Sequence, residues 1–449
     1  MRGLVEQTIV WLVVVVFVGM AIHTPTTVFI ETHWPHLELL AKSWKELVLG
    51  ALLLLILLSL YKRGALRQVV GDKVVQLVAA IAVVHVALLL LFDNAYVSEL
   101  AGLLIDLRFY LFFVELYVAA RYIPGVHKYG LRAAAVGAAF IVVFGVLQVF
   151  VLPKDILASI GYSDATIKPY LTVDLNHDYV RINSTLRGPN PVGAFAVLVL
   201  CVAGAWAIRR ASQLTNWKKR AQVIATLLAG VIVLWASYSR SAWIAGALGI
   251  ATLWASVVPK KLAVYSLISM AMASVIVVGV LLQLRDVPAI SNLVFHNNPV
   301  GGSPTKSDDG HIESLEQGIE AASQAPLGKG IGSTGSASLL SEEPVIIENQ
   351  YLFMAHESGW LGVALQLLLF GLVLWGLWRL RQDWLSLGLF SAGIGLAFIG
   401  LLLPVWADDT VSLYWWGLAG LALGSSAIIK SDERVTPKPK SHKKTARTT

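Results

Sequence analysis

Apolar runs of about 18 residues or more recur along this chain, and nothing else in it constrains the fold as strongly. A helix rises 1.5 Å per residue, so each run is long enough to cross a hydrocarbon core of about 30 Å. The runs lie near residues 7–24, 43–60, 74–92, 98–120, 131–152, 191–208, 221–237, 241–257, 262–284, 351–378, 385–403 and 410–429. Twelve spans are therefore expected. The length alone would allow about two or three soluble domains, but 56% of the 449 residues are hydrophobic and 14% charged. Such a composition belongs in lipid. The expected fold class is an all-α polytopic membrane protein with about 12 transmembrane helices.

Charge sets the orientation. Arg2 precedes the first run, and the alternate loops that follow carry Lys62, Arg63, Arg67 and Lys73, then Arg121, Lys128 and Arg132. The pattern continues through Arg209, Arg210 and Lys218 to Arg220, Lys260 with Lys261, and Arg379 with Arg381. Every second loop is basic, which places both termini in the cytoplasm. The net charge of +7 is then mostly topology rather than a nucleic-acid surface. The tail at 430–449 reads as basic, disordered and cytoplasmic, with anionic headgroups as its alternative partner. The first run continues into "HTPTTVFIETHWP" without a small-residue cleavage site and reads as an anchor. The single Cys201 excludes a disulfide framework or a thiolate metal site.

Residues 1–429 form one expected unit, interrupted by a long polar loop at 285–350 between the ninth and tenth spans. The charge pattern puts this loop outside, together with 153–190 and the tight turn at 238–240. Within it, "SDDGHIESLEQGIEAASQAPLG" predicts an amphipathic helix capped by Asp308 or Asp309, with Ile312, Leu315, Ile319 and Ala322 as its apolar stripe. His311 stands at the positive end of that helix, where an imidazole tends to stay neutral. Gly330, Gly332 and Gly335 spell G-x-G-x-x-G, but no strand precedes them and a dinucleotide site does not follow. A flexible glycine loop near a substrate is the alternative.

Charges at the membrane surface supply the candidate site. Arg240, in "SYSRSAWIAG", is fixed in a tight turn at headgroup depth, suited to a phosphate or pyrophosphate. It is equally well read as an interfacial arginine beside Tyr238 and Trp243. Arg187, in "STLRGPNPVGAF", adjoins a proline-opened helix start, an anion-friendly corner, and Arg181 adds to the same field. Both also read as solvated loop arginines. Glu348 begins the tenth span and serves either as a general base or as a helix cap. Asn349, His356 and Glu357 support that end. Asp106, Arg108 and Glu115 are expected in a buried polar network.

These motifs together resemble the O-antigen ligase and O-antigen polymerase superfamily. "SYSRSAWIAG" is similar to the family's Ser-Arg turn, and "HIESLEQGIEAASQAPLGKGIGSTG" to its outer helix and glycine loop. "ENQYLFMAHESGWLG" resembles its re-entry helix. The resemblance implies a C-type glycosyltransferase-like fold in the bacterial inner membrane, and no cofactor. It also implies metal-independent, inverting transfer of a glycan from an undecaprenyl-diphosphate carrier to a lipid, glycan or protein hydroxyl. Arg240 matches the arginine expected to hold the diphosphate, and Arg187 is placed to assist. His311 stands where the family commonly has arginine, and Glu348 where ligases have histidine, so the base is expected among these two. A transporter or flippase is the alternative class; it predicts inverted repeats with helices broken at the midplane, and neither is visible in the sequence.

Overall fold

The computed structural model describes residues 3–167, 170, 180–295 and 307–435, without the side chains of 307–312, 317 and 427–435. The N-terminal half runs α1 (Leu4–Met20), α2 (His23–His33), α3 (Glu38–Lys62), α4 (Leu66–Val70), α5 (Lys73–Leu91), α6 (Tyr96–Tyr122), α7 (Val126–Phe150) and α8 (Pro189–Arg209). The C-terminal half runs α9 (Trp217–Ala236), α10 (Arg240–Ala255), α11 (Lys260–Gln283), α12 (Pro288–Leu293), α13 (Ser307–Gln324), α14 (Gly335–Ser338), α15 (Gln350–Arg379), α16 (Trp384–Gly400) and α17 (Asp409–Val435). Among the described residues there is no strand.

Each of the twelve expected spans falls on a helix. Seven helices are long and apolar enough to cross a membrane, or eight if the bent pair of α1 and α2 forms one span. The others fall short for identifiable reasons. α10 and α16 have 16 and 17 residues, about 24–26 Å of rise, and α6 carries Glu99, Asp106, Arg108 and Glu115. An all-helical polytopic membrane protein is what the described residues support.

Glycine sets how closely the helices pack. A Cβ at Gly424 of α17 would fall on the Tyr117 carbonyl of α6, and one at Gly395 of α16 would lie 2.6 Å from the Ala245 carbonyl of α10. Small residues let backbones approach where lipid offers no hydrophobic drive between helices. Above the α6–α17 seam, Trp406, Trp415, Trp416, Phe109 and Phe370 pack with ring centroids 5.0–6.5 Å apart. Through Trp406 this cluster holds residues 401–408 against the helices. At the periphery, α11 buries only Ala263.

The loop departs from expectation in two respects. Leu315 and Ile319 are exposed, whereas Ala322 is buried against Met354, Ala355 and Val363. The docking face of α13 thus runs through Gly318 and Ala322, because only small residues fit against Ile347 and Leu352. The side chains of Asp308, Asp309, Ile312 and His311 lie outside the described residues, as does the tail from 436. The glycine segment, expected to be flexible, is bonded into the bundle. Trp360 N–H donates to the Pro326 carbonyl (3.0 Å) and Lys329 N–H to that of His356 (2.6 Å), while the Ser98 hydroxyl reaches the carbonyls of Gly332 and Ala337.

Candidate functional site

The turn that presents Arg240 is built by its neighbours. α9 ends at Ala236 and α10 begins at Arg240, so three residues reverse the chain, with Tyr238 in the left-handed region at φ 45°. Arg181, buried to 7% exposure, holds the reversal. Its Nε donates to the Ser237 carbonyl at 2.8 Å and its Nη2 to Asn190 Oδ1 at 2.7 Å. Ile182 N–H adds a bond to the Ala236 carbonyl. Arg181 therefore braces the turn from beneath, and Arg240 sits half-buried at its exit. Trp235 and Trp243 stack at 5.0 Å beside it, the aromatic arrangement of a membrane–water interface.

Arg187 is exposed and belongs to a second group. It lies close enough to Asp408 to pull on its titration. Burial nonetheless pushes the Asp408 carboxyl up to about 6, against the Val411 N–H, Arg108 and Arg187, which stabilise its charge, and with Asp409, which opposes it. Asp409, opening α17, is ringed by basic side chains. Arg108 pairs with it, Lys45 lies 2.9 Å away and His23 Nε2 3.3 Å. Trp44 Nε1, which can only donate, reaches His23 Nδ1 at 3.0 Å; the neutral ring must then carry its proton on Nε2, facing Asp409. Glu46 completes the cluster beside Lys45 and Arg108.

Glu348 is half-buried, and its N–H donates to Ser314 Oγ of α13. The cap of α15 is not Glu348 but Asn349, whose side-chain oxygen accepts from Tyr351 and Leu352 N–H. Asn349 also donates to the Leu401 carbonyl, 2.7 Å away, and Gln350 Oε1 accepts from Trp406 N–H at 2.9 Å. His356 and Glu357 are buried against the glycine segment; Glu357 Oε1 accepts from Gly332 and Thr334 N–H at 3.1 and 3.3 Å.

Residues 401–408 therefore connect the two halves. They receive Asn349 and Gln350 on one side, and Arg108 Nη2 at the Ala407 carbonyl on the other. Of the residues expected from sequence, Arg181 meets the Arg240 turn, Arg187 lies within electrostatic reach of Asp408, and Glu348 meets α13 and the head of α15. Asp106 and Arg108 find partners on different elements, as their two-residue spacing requires. Glu115 stays outside that network, with both buried oxygens lacking a hydrogen bond. His23, Lys45, Asp408 and Asp409 did not stand out in the sequence. The one signal for them is "ADDT", two acids immediately before an apolar run.

A family model described as O-antigen ligase matches residues 224–367, from within α9 into α15. That stretch contains Arg240, α13, the glycine segment, Glu348 and Glu357. Residues 224–367 are similar to an O-antigen ligase domain. The match covers about a third of the chain and shows that this stretch is similar to the O-antigen ligase family. No curated protein matches the chain.

Proposed function

We propose that the protein transfers a glycan from an undecaprenyl-diphosphate-type carrier to an acceptor hydroxyl on the outer face of the cytoplasmic membrane. The observation carrying this reading is the placement of Arg240 at the start of α10, on a turn braced by buried Arg181, within the stretch that matches the O-antigen ligase model. An arginine held there offers paired N–H donors to a diphosphate, and stabilises charge growing on the leaving group as the glycosidic bond breaks. Arg187 is a second cation for the same anion. Arg181, committed to Ser237 and Asn190, acts through the turn rather than by reaching the substrate.

Glu348 is the proposed base that takes the proton of the acceptor hydroxyl. Its helix is already capped by Asn349, so its carboxylate is not needed for that task. His311 is the alternative base. The twelve-span topology with both termini cytoplasmic belongs to this reading, as do metal-independent inversion at the transferred sugar and the division into a membrane unit, 1–429, and a tail.

The test is transfer by purified protein from a polyprenyl-diphosphate-linked glycan to an acceptor, with release of polyprenyl diphosphate. Arg240→Ala should reduce transfer at least about a hundredfold, and Glu348→Gln should do likewise. Undiminished transfer by the Arg240 variant would sink the assignment. Movement of the lipid-linked glycan across proteoliposomes without bond formation would favour a flippase.

A further inference from the structure

The first turn of α8 carries Asn190, which accepts from Arg181 beneath the Arg240 turn. The 21 residues of α8 then take the chain about 30 Å away, to Arg209 at the opposite end. There Arg209 Nη2 donates to the Arg381 carbonyl at 3.0 Å, in the short turn between α15 and α16. Arg381 lays its guanidinium over the Trp378 ring, 4.4 Å from the centroid, and its Nη1 donates to the Trp378 carbonyl at 3.2 Å. Arg210 follows Arg209, and Arg379 precedes Arg381 by two residues. Four guanidinium groups therefore gather where two helices long enough to span a membrane, α8 and α15, come to their ends.

Like charges held together call for an anion, and the chain supplies almost none. No Asp or Glu occurs between Asp178 and Asp286, a stretch that includes Arg209, Arg210 and the basic start of α9. The one acid in the α15–α16 turn is Asp383, whose Oδ2 caps α16 by accepting from the Ser386 N–H and hydroxyl at 3.0 and 3.3 Å. Among the described residues no carboxylate pairs with Arg209, Arg210, Arg379 or Arg381. An arginine offers five N–H groups, and the two carbonyl bonds use one on each of Arg209 and Arg381. Arg209 Nε is buried and meets no acceptor among the described residues. Membrane topology accounts for basic loops in general, but it does not require two of their arginines to be half-buried and bonded to one another's loop. The surface leading to the cluster is apolar. Leu368, Leu372 and Trp375 are exposed and share one face of α15 with Arg379, and Ile208 is exposed beside Arg209.

We infer that the Arg209–Arg381 cluster binds the phosphate of an anionic phospholipid, with the acyl chains lying along the exposed face of α15. A guanidinium fork takes two phosphate oxygens at once. Arg209 and Arg381 supply the forks, Trp378 holds the plane of Arg381, and Arg210 and Arg379 add to the field. The apolar face selects a lipid over a free phosphate ion, since only a lipid has chains to lay on it. A lipid bound here ties the end of α8 to the α15–α16 turn, where the protein itself provides a single backbone bond between Arg209 and Arg381. The site is separate from the carrier diphosphate proposed at Arg240, which lies the length of α8 away.

The test is thermal unfolding of the full chain, delipidated in a neutral detergent, with phosphatidylglycerol, phosphatidylcholine or inorganic phosphate added at equal concentration. Phosphatidylglycerol should raise the unfolding temperature by at least about 3 °C, and the other two by less than about 1 °C. Arg209→Gln combined with Arg381→Gln should lose at least half of that rise. Lys218→Gln combined with Lys219→Gln removes the same charge from the neighbouring loop and should keep it. Should the arginine pair not fold, Arg381→Gln alone gives the same reading, because it leaves the Arg209 bond to the backbone of residue 381 in place. An equal rise with phosphatidylcholine overturns the anionic headgroup, and an equal rise with inorganic phosphate overturns the lipid. A rise lost equally in the lysine and arginine variants, or kept in both, overturns the cluster as its site. None of these measurements involves glycan transfer, so each outcome is readable whether or not that reading holds.

Discussion

Asn349 and Leu401 are joined by a single bond of 2.7 Å, from the amide nitrogen of a helix cap to a carbonyl in the loop that closes α16. The same side chain accepts two N–H groups at the start of α15 with its oxygen. One residue thus fixes the head of α15, with Glu348 immediately before it, to the loop that leads into Asp408 and Asp409. Its two functions use different atoms and are separable by substitution.

Asn349→Asp keeps an oxygen to cap the helix but loses the donor to Leu401, placing two acceptors face to face. Asn349→Ala loses both. The alanine variant should be destabilised by about 1.5–3 kcal/mol, combining a cap worth ~0.5–2 kcal/mol with a hydrogen bond worth ~1 kcal/mol. Thermal unfolding in detergent measures this. Both variants should lose glycan transfer at least tenfold, since both disconnect Glu348 from residues 401–408. Transfer retained in Asn349→Asp would mean that this connection is unimportant to the site.

Much of the fold was legible because lipid makes it so. Runs such as 74–92 and 262–284 announce helices through hydropathy alone, and both fall on helices, α5 and α11. The turn at 238–240 was equally legible, because Ser and Arg interrupt two apolar runs with no room for a longer loop. The basic-acidic cluster was not. His23, Lys45, Arg108 and Asp409 come from four elements far apart in sequence, and each alone reads as an interfacial charge. The stripe on α13 misled for a related reason. Periodicity finds an apolar face, but α15 accepts only Gly318 and Ala322 at the contact, leaving Leu315 and Ile319 exposed. The glycine segment read as flexible because its anchors, Asn94, Ser98 and Glu357, lie elsewhere in the chain.

Arg181 and Arg240 should fail differently. Arg181→Lys keeps the charge but cannot reach Ser237 and Asn190 together, since a lysine has no planar fork. It should lose about 1.5–3 kcal/mol of stability, the worth of a charged donor to a buried carbonyl, with transfer falling alongside. Arg240→Lys should leave the unfolding temperature within about 2 °C while transfer falls at least tenfold. Paired unfolding and transfer measurements on the two variants check this. Equal loss of stability in both would remove the distinction between brace and clamp.

Removing Asp409 should be costly out of proportion to one side chain. Asp409→Asn leaves Lys45 and Arg108, 4% and 5% exposed, with Glu46 paired to both and Asp408 acting on Arg108. Breaking a buried pair by removing one partner costs about 3–5 kcal/mol, and the partial exposure of Asp409, 24% of its side chain, places the expectation near the lower figure. Lys45→Met combined with Asp409→Asn removes one charge of each sign and should recover part of the loss, measured as coupling in a double-mutant cycle. Purely additive losses would show that the two charges do not depend on each other.

Asp408 gives a pH dependence with a defined sign. Its carboxyl sits at about 6 in the folded chain against an ordinary 3.8, because burial opposes its charge more than Arg108, Arg187 and the Val411 N–H favour it. Between these values the folded state binds the proton and the unfolded state does not, so stability from this group is full below 3.8 and is lost as pH rises through 6. Asp408→Asn cannot titrate, yet still caps α17 through an oxygen towards Val411, whose N–H the native side chain accepts at 2.9 Å. The unfolding temperature of the native chain minus that of Asp408→Asn should therefore fall from pH 4 to pH 7 and level off above. Taking the difference cancels the titration of other groups, Asp409 included, to the extent that they are not coupled to Asp408. Arg187→Gln, which removes one of the cations that favour the charge, should move the fall to higher pH in the same comparison. A difference that rises with pH would show Asp408 stabilised as a carboxylate, and would reverse the balance between its burial and its arginines.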